Sequence, residues 1–145
     1  MLKVGLIEMK NRILYRYLET NHYLSTIFPN KMGINKLKVL LTEEAQAFWD
    51  AQPFKAQQKI YYNIFKVEEG VMKVDIFKKL ENTEIWEFRT LYNGICYRLF
   101  SFWDTEEETL VIATHGIVKK TQKTPLKEIA KAEEIRKEYF NNKNK

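Results

Sequence analysis

Cysteine is almost absent. Cys96 is the only one in 145 residues, which excludes an internal disulfide and any cysteine-based zinc site. It lies in an apolar alternating run and reads as a core residue. Histidine is nearly as scarce. His22 and His115 are far apart, and no group of histidines and carboxylates has the spacing of a metal site, so neither metal nor other cofactor is expected. Long apolar runs are also missing. The N-terminal apolar stretches are cut by Lys3, Glu8, Lys10, Arg12 and Arg16, well short of the ~20 residues a spanning helix needs. Without a signal peptide or membrane span, a cytoplasmic protein is expected. There is no internal repeat and no low-complexity segment.

Hydrophobic residues at 45% and aromatics at 14% suit one folded domain rather than a disordered chain. The net charge of +5 is unevenly placed. Residues 1–118 carry fifteen basic and fifteen acidic side chains, whereas residues 119–145 carry nine basic and four acidic. The whole excess therefore falls in the last segment. That distribution suits either a polyanionic partner, nucleic acid before membrane, or a solvated lysine-rich helix and tail.

The segment LKVLL at 37–41 reads as a short buried strand. Thr42 is a good N-cap, and Glu43 and Glu44 suit the positive end of a helix carrying Ala45, Ala47, Phe48 and Trp49. Pro53 fits the first position of a second helix, with Phe54, Tyr61, Ile64 and Phe65 at helical spacing and Gly70 as its stop. From Ile85 the period changes to two. IWEFRTLY, Asn93-Gly94 and ICYRLFSFW predict an antiparallel hairpin with a two-residue turn. In its second strand Ile95, Tyr97, Leu99 and Ser101 share one face, and Cys96, Arg98, Phe100 and Phe102 the other. A third strand is expected at 109–114, left at His115 and Gly116, and a last helix from Pro125 to about Tyr139. This is an α+β fold: a short N-terminal strand, a two-helix hairpin, a meander of about three strands and a C-terminal helix. Residues 1–31 show no pattern tying them to the domain and read as an extension or an over-called start. The domain itself spans 32–141, and residues 142–145 are expected to fray.

The run LVIATHGIVKKTQKTP at 110–125 passes from an apolar strand into a basic patch. A proton-transferring imidazole at a sheet edge beside fixed cations is suited to handling a phosphodiester. His115 titrates near neutrality in its unperturbed state. Arg98 interrupts an apolar strand face, where a cation without a counter-charge is costly. It is either a phosphate ligand or an arginine that snorkels to the sheet edge or pairs with Glu87. Arg89 is either a phosphate ligand or the partner of Glu84 or Glu87. Lys78 and Lys79 either grip an RNA backbone or face solvent. Trp86 and Trp103 suit the core better than a base-stacking platform.

FKKL at 77–80, IWEFR at 85–89, CYRLF at 96–100 and HGIVKKTQKTP at 115–125, followed by EIAKAEEIRKEYF, resemble the phage-derived branch of the RelE/HigB toxin superfamily. The resemblance covers about residues 38–140, with the parts in the family's order. It implies a RelE-like fold and the toxin of a type II toxin–antitoxin pair, a metal-independent endoribonuclease cutting messenger RNA on the ribosome. It also implies a helix-turn-helix antitoxin as partner. By the same likeness, Arg98 corresponds to the family's phosphate-binding arginine and Arg89 to the "ELR" arginine. His115, Lys119 and Lys120 fall at the basic catalytic positions, with Lys123 as a supporting phosphate contact. One departure limits the transfer: where RelE has lysines leading into its arginine, this chain has Ile85 and Glu87. No tyrosine clearly matches the RelE catalytic one, and Tyr139 lies too far along its helix. The HigB-like arrangement is the better guide. Two alternatives share the scaffold: a gyrase-poisoning toxin of the ParE type acting through helix 125–141, and an inactive RNA- or antitoxin-binding relic.

Overall fold

A computed structural model describes residues 7–8, 37–106, 110–119 and 123–143. The elements are strands β1 (Ile7–Glu8) and β2 (Lys38–Leu41), helices α1 (Glu43–Asp50) and α2 (Phe54–Glu68), strands β3 (Phe77–Lys79), β4 (Trp86–Tyr92), β5 (Ile95–Trp103) and β6 (Leu110–Lys119), and helix α3 (Leu126–Lys143). The strands form one sheet in the order β1-β2-β6-β5-β4-β3, with β2 parallel to β6. The fold is the expected α+β, with β3 and β1 added at the sheet's two ends. The expectation of an extension over residues 1–31 lies outside the described residues, apart from Ile7 and Glu8, which pair with Leu41 and Leu40.

Local signals set most of the boundaries. The Thr42 hydroxyl accepts from Ala45 N at 3.1 Å, and Glu43 and Glu44 occupy the first turn of α1. Trp49 and Gln57 then lock the helical hairpin reciprocally: Trp49 Nε1 donates to Gln57 O at 3.2 Å, and Gln57 Nε2 donates to Trp49 O at 2.9 Å. Gly70, at φ +95°, ends α2 in a conformation L side chains rarely adopt. Asn93 and Gly94, at φ 52° and 76°, make the tight turn between β4 and β5.

Each face of the sheet buries its own core. Val39, Leu41, Phe88, Tyr97, Leu99, Val111 and Ala113 pack against α1 and α2, joined by Phe77, Trp86 and Trp103. Trp86 stacks on Phe77 with centroids 4.8 Å apart, so both tryptophans serve the core, as expected. On the opposite face Ile85, Phe100, Phe102 and Ile112 pack under α3 through Ala132 and Tyr139.

Strand β6 differs from expectation. It does not end near Thr114 but continues through His115 and Gly116 to Lys119, because β5 offers partners as far as Cys96. The register shifts between Phe100 and Ser101, whose partners are His115 and Ala113, leaving Thr114 as the extra residue of a bulge. The bulge transfers alternation to the other parity. Ile112, His115, Ile117 and Lys119 thereby share the α3 face, while Gly116 turns toward α1. A Cβ on Gly116 would lie 2.2 Å from Phe48 Cδ2, which explains a glycine inside this strand. Helix α3 likewise outruns its expected end, reaching Lys143. The fully buried Asp104 carboxylate accepts from Tyr139 Oη at 2.6 Å and from Lys143 Nζ, pinning the helix to the end of β5.

Candidate functional site

Cross-strand register assembles the site. Residues directly opposite one another on neighbouring strands point to the same face. One row on the α3 face is Lys78, Glu87, Phe100 and His115; the next is Arg89, Arg98 and Ile117; a third is Leu91, Cys96 and Lys119. Side chains spread over forty residues of sequence therefore meet on one patch of sheet.

Glu87 is its hub. Arg98 Nε lies 3.2 Å and Arg89 Nε 3.3 Å from the same carboxylate oxygen, Glu87 Oε1. The other oxygen, Oε2, accepts from Thr124 Oγ1 at 3.0 Å, and Thr124 Oγ1 accepts from Lys119 Nζ at 3.2 Å. Arg98, Glu87 and Lys119 are 3%, 2% and 4% exposed, while the Arg89 side chain is 21% exposed. Three cations thus share one carboxylate in a largely desolvated setting. Such a group is held at considerable desolvation cost. Burial pushes the Lys119 ammonium below its usual 10.5; Glu87 opposes this, and Arg98 and Arg89 reinforce it. A lysine of lowered proton affinity beside two guanidiniums can bind an oxyanion and give up a proton to it.

His115 stands in the same row as Glu87, two strands over and separated from it by Phe100, against whose ring it packs at 4.9 Å. Its Nδ1 lies 3.0 Å from Thr114 Oγ1, and its Nε2 3.3 Å from Glu128 Oε2 in the first turn of α3. Burial is the main cause holding the imidazole below 6.5, with the Lys131 charge adding to it; Glu128 and Glu44 pull the other way. The imidazole is 2% exposed and clasps α3 to β6.

The sequence-predicted residues thus divide. Arg89, Arg98 and Lys119 converge on Glu87, and His115 neighbours them under α3. Lys78 is exposed directly across from Glu87, on the same face, whereas Lys79 pairs with Trp86 on the other parity. Lys123 is exposed just before α3, and Lys120 lies outside the described residues. Tyr139 is buried against Asp104, away from the cluster. The alternative in which Arg98 and Arg89 pair with Glu87 is the arrangement present. Sequence reasoning named Glu87 as an alternative partner for each arginine; it missed that Thr124 bridges Glu87 to Lys119 and that Glu128 reaches His115. The alternation of Glu87 and Arg89 on one strand face was the signal for the shared carboxylate. Among the described residues, no three His, Cys, Asp or Glu side chains gather in a way that could hold a metal ion.

A mixed sheet carrying a buried cationic cluster under a C-terminal helix defines a class of small α+β proteins. The chain belongs to the family described as phage derived protein Gp49-like (DUF891), whose model matches residues 47–137, a toxin-like family of toxin–antitoxin systems. No curated protein and no solved structure matches it. No helix among the described residues is long and apolar enough to cross a membrane.

Proposed function

We propose that the chain is the toxin of a type II toxin–antitoxin pair, an endoribonuclease of RelE/HigB type that cuts messenger RNA on the ribosome. The observation carrying this reading is the convergence of Arg89, Arg98 and Lys119 on Glu87, with Lys119 held below its usual proton affinity. The 2′-hydroxyl passes its proton to solvent water as its oxygen bonds to the adjacent phosphorus and the bond to the 5′-oxygen breaks, which builds negative charge on the phosphoryl oxygens and on the departing 5′-oxygen. Arg98 and Arg89 stabilise the first, and Lys119 protonates the second. Glu87 positions both guanidiniums through their Nε atoms. His115 acts as a positioning residue, fixing the first turn of α3 over the sheet. Lys78, Lys123 and Lys120 hold flanking phosphates. A helix-turn-helix antitoxin neutralises the toxin by covering this basic surface.

The test is induction in a bacterial host with transcript ends mapped across the transcriptome. New ends inside coding regions, absent with Lys119→Met, are expected. DNA damage with intact messages would replace this reading with gyrase poisoning. Unimpaired growth would replace it with an inactive binding module.

A further inference from the structure

The cationic cluster does not end at the sheet. Just before β3 begins, at Asp75 and Ile76, a cavity of about 410 Å³ opens beside β4, and Arg89 and Arg98 line it as well as the cluster. Its opposite wall is α2, which contributes Lys59, Asn63 and Lys66. Four cations therefore face this space against one carboxylate, Asp75. Its walls are fixed. Asn63 Nδ2 donates to Arg89 O at 3.3 Å and to Thr90 Oγ1 at 3.1 Å, fastening α2 to the edge of β4, while Arg89 N donates to Ile76 O at 2.8 Å.

Lys59 and Lys66 are seven residues apart, two turns of helix or about 10 Å, so they mark the two ends of one helix edge. Tyr62 lies between them in sequence, and the two ammonium groups stand 5.9 and 4.9 Å from its ring centroid. An aromatic face restrains a flexible lysine and leaves its N–H donors for an anion. Leu91, 65% exposed, adds an apolar wall at the mouth.

We propose that this cavity is a second phosphate subsite, which holds the backbone phosphate of a nucleotide neighbouring the scissile bond in single-stranded RNA. The inference rests on the ribonuclease reading and extends it. Arg89 and Arg98 touch both spaces, so a strand whose reacting phosphate sits at Lys119 passes them and reaches Lys59 and Lys66. Both lysines come from residues 1–118, where the charges balance, and only folding brings them to the site.

The probe is a fluorescent single-stranded RNA 2′-O-methylated throughout, which binds without being cut, titrated into the full chain over a range of salt. Lys59→Gln/Lys66→Gln is compared with Arg98→Gln, Lys119→Met and Lys59→Arg/Lys66→Arg. The double glutamine variant is expected to bind tenfold or more weakly. Its plot of log affinity against log salt flattens by about 0.7, the value for one lost phosphate contact on a single strand. The double arginine variant restores both. Wild-type affinity and slope in the glutamine variant, with binding lost in Arg98→Gln and Lys119→Met, would overturn the subsite and leave the ribonuclease reading standing. Binding unaffected by any of these variants, or absent from the wild type, would overturn both.

Discussion

Removing the Glu87 carboxylate leaves Arg98 buried beside Arg89 without the oxygen that both guanidiniums share. Breaking a buried ion pair from one side typically costs about 3–5 kcal/mol, whereas replacing both members with apolar residues is often neutral. Glu87→Gln is therefore expected to lose stability on that scale in denaturant unfolding, and Glu87→Gln/Arg98→Met to recover most of it. An unchanged unfolding midpoint in the single variant would contradict the hub role. His115 makes a prediction in pH. Its folded-state affinity for protons lies below the unfolded 6.5, so on acidification the unfolded chain takes the proton first. The stabilisation tied to a neutral His115 is present above about 6.5 and is lost as pH falls below it. His115→Gln should flatten that part of the stability profile, measured by thermal unfolding across the range. At this scale Arg98 was legible in the sequence, because a cation between Cys96 and Phe100 on an apolar face demands a partner. Glu87 was likewise named as a possible partner of Arg89, but that it reaches Lys119 through Thr124 was not legible, since Thr124 joins them only across the folded sheet.

Elements divide the same way, according to whether their cause is local. The Thr42 cap, the Gly70 stop and the Asn93-Gly94 turn each act within a few residues, and all three are found where the sequence put them. Strand β6 was misjudged because Gly116 reads as a break in an isolated chain. Its real cause is the Phe48 ring, which comes from a helix seventy residues earlier. Gly116→Ala is accordingly expected to destabilise the fold by about 1–3 kcal/mol through overpacking, with Phe48→Leu in the same chain restoring part of it. Calorimetric melting of both variants and the wild type checks this, and equal melting temperatures for Gly116→Ala and the wild type would refute the close approach. The bulge at Thr114 was equally hidden. It alone brings His115, Ile117 and Lys119 to the face that Arg98 occupies. At the other end of α3, Tyr139→Phe takes one hydrogen bond from the buried Asp104 carboxylate and should cost about 1–3 kcal/mol. Faster amide exchange in the last turns of α3 is the accompanying signature.

Across the whole molecule, charge counting pointed to residues 119–145, and Lys119 and Lys123 do lie there. Yet Lys78, Arg89 and Arg98 come from the balanced part of the chain, where a sum of charges cannot single them out. The order of motifs carried more than the net charge did, because the family match over residues 47–137 spans all of these positions. On the proposed reading, nucleic-acid recognition depends on which cations the sheet gathers and on how strongly burial holds them. The central claim is chemical, and the most direct test is the identity of the ends left on a cut message in a translating extract. Attack by the 2′-hydroxyl leaves a 5′-hydroxyl on one fragment and a 2′,3′-cyclic or 3′-phosphate on the other. The account predicts those ends with the wild-type chain and a loss of about 10²–10⁴-fold in their formation with Lys119→Met. Ends bearing a 5′-phosphate, or cutting at the wild-type rate by that variant, would contradict it.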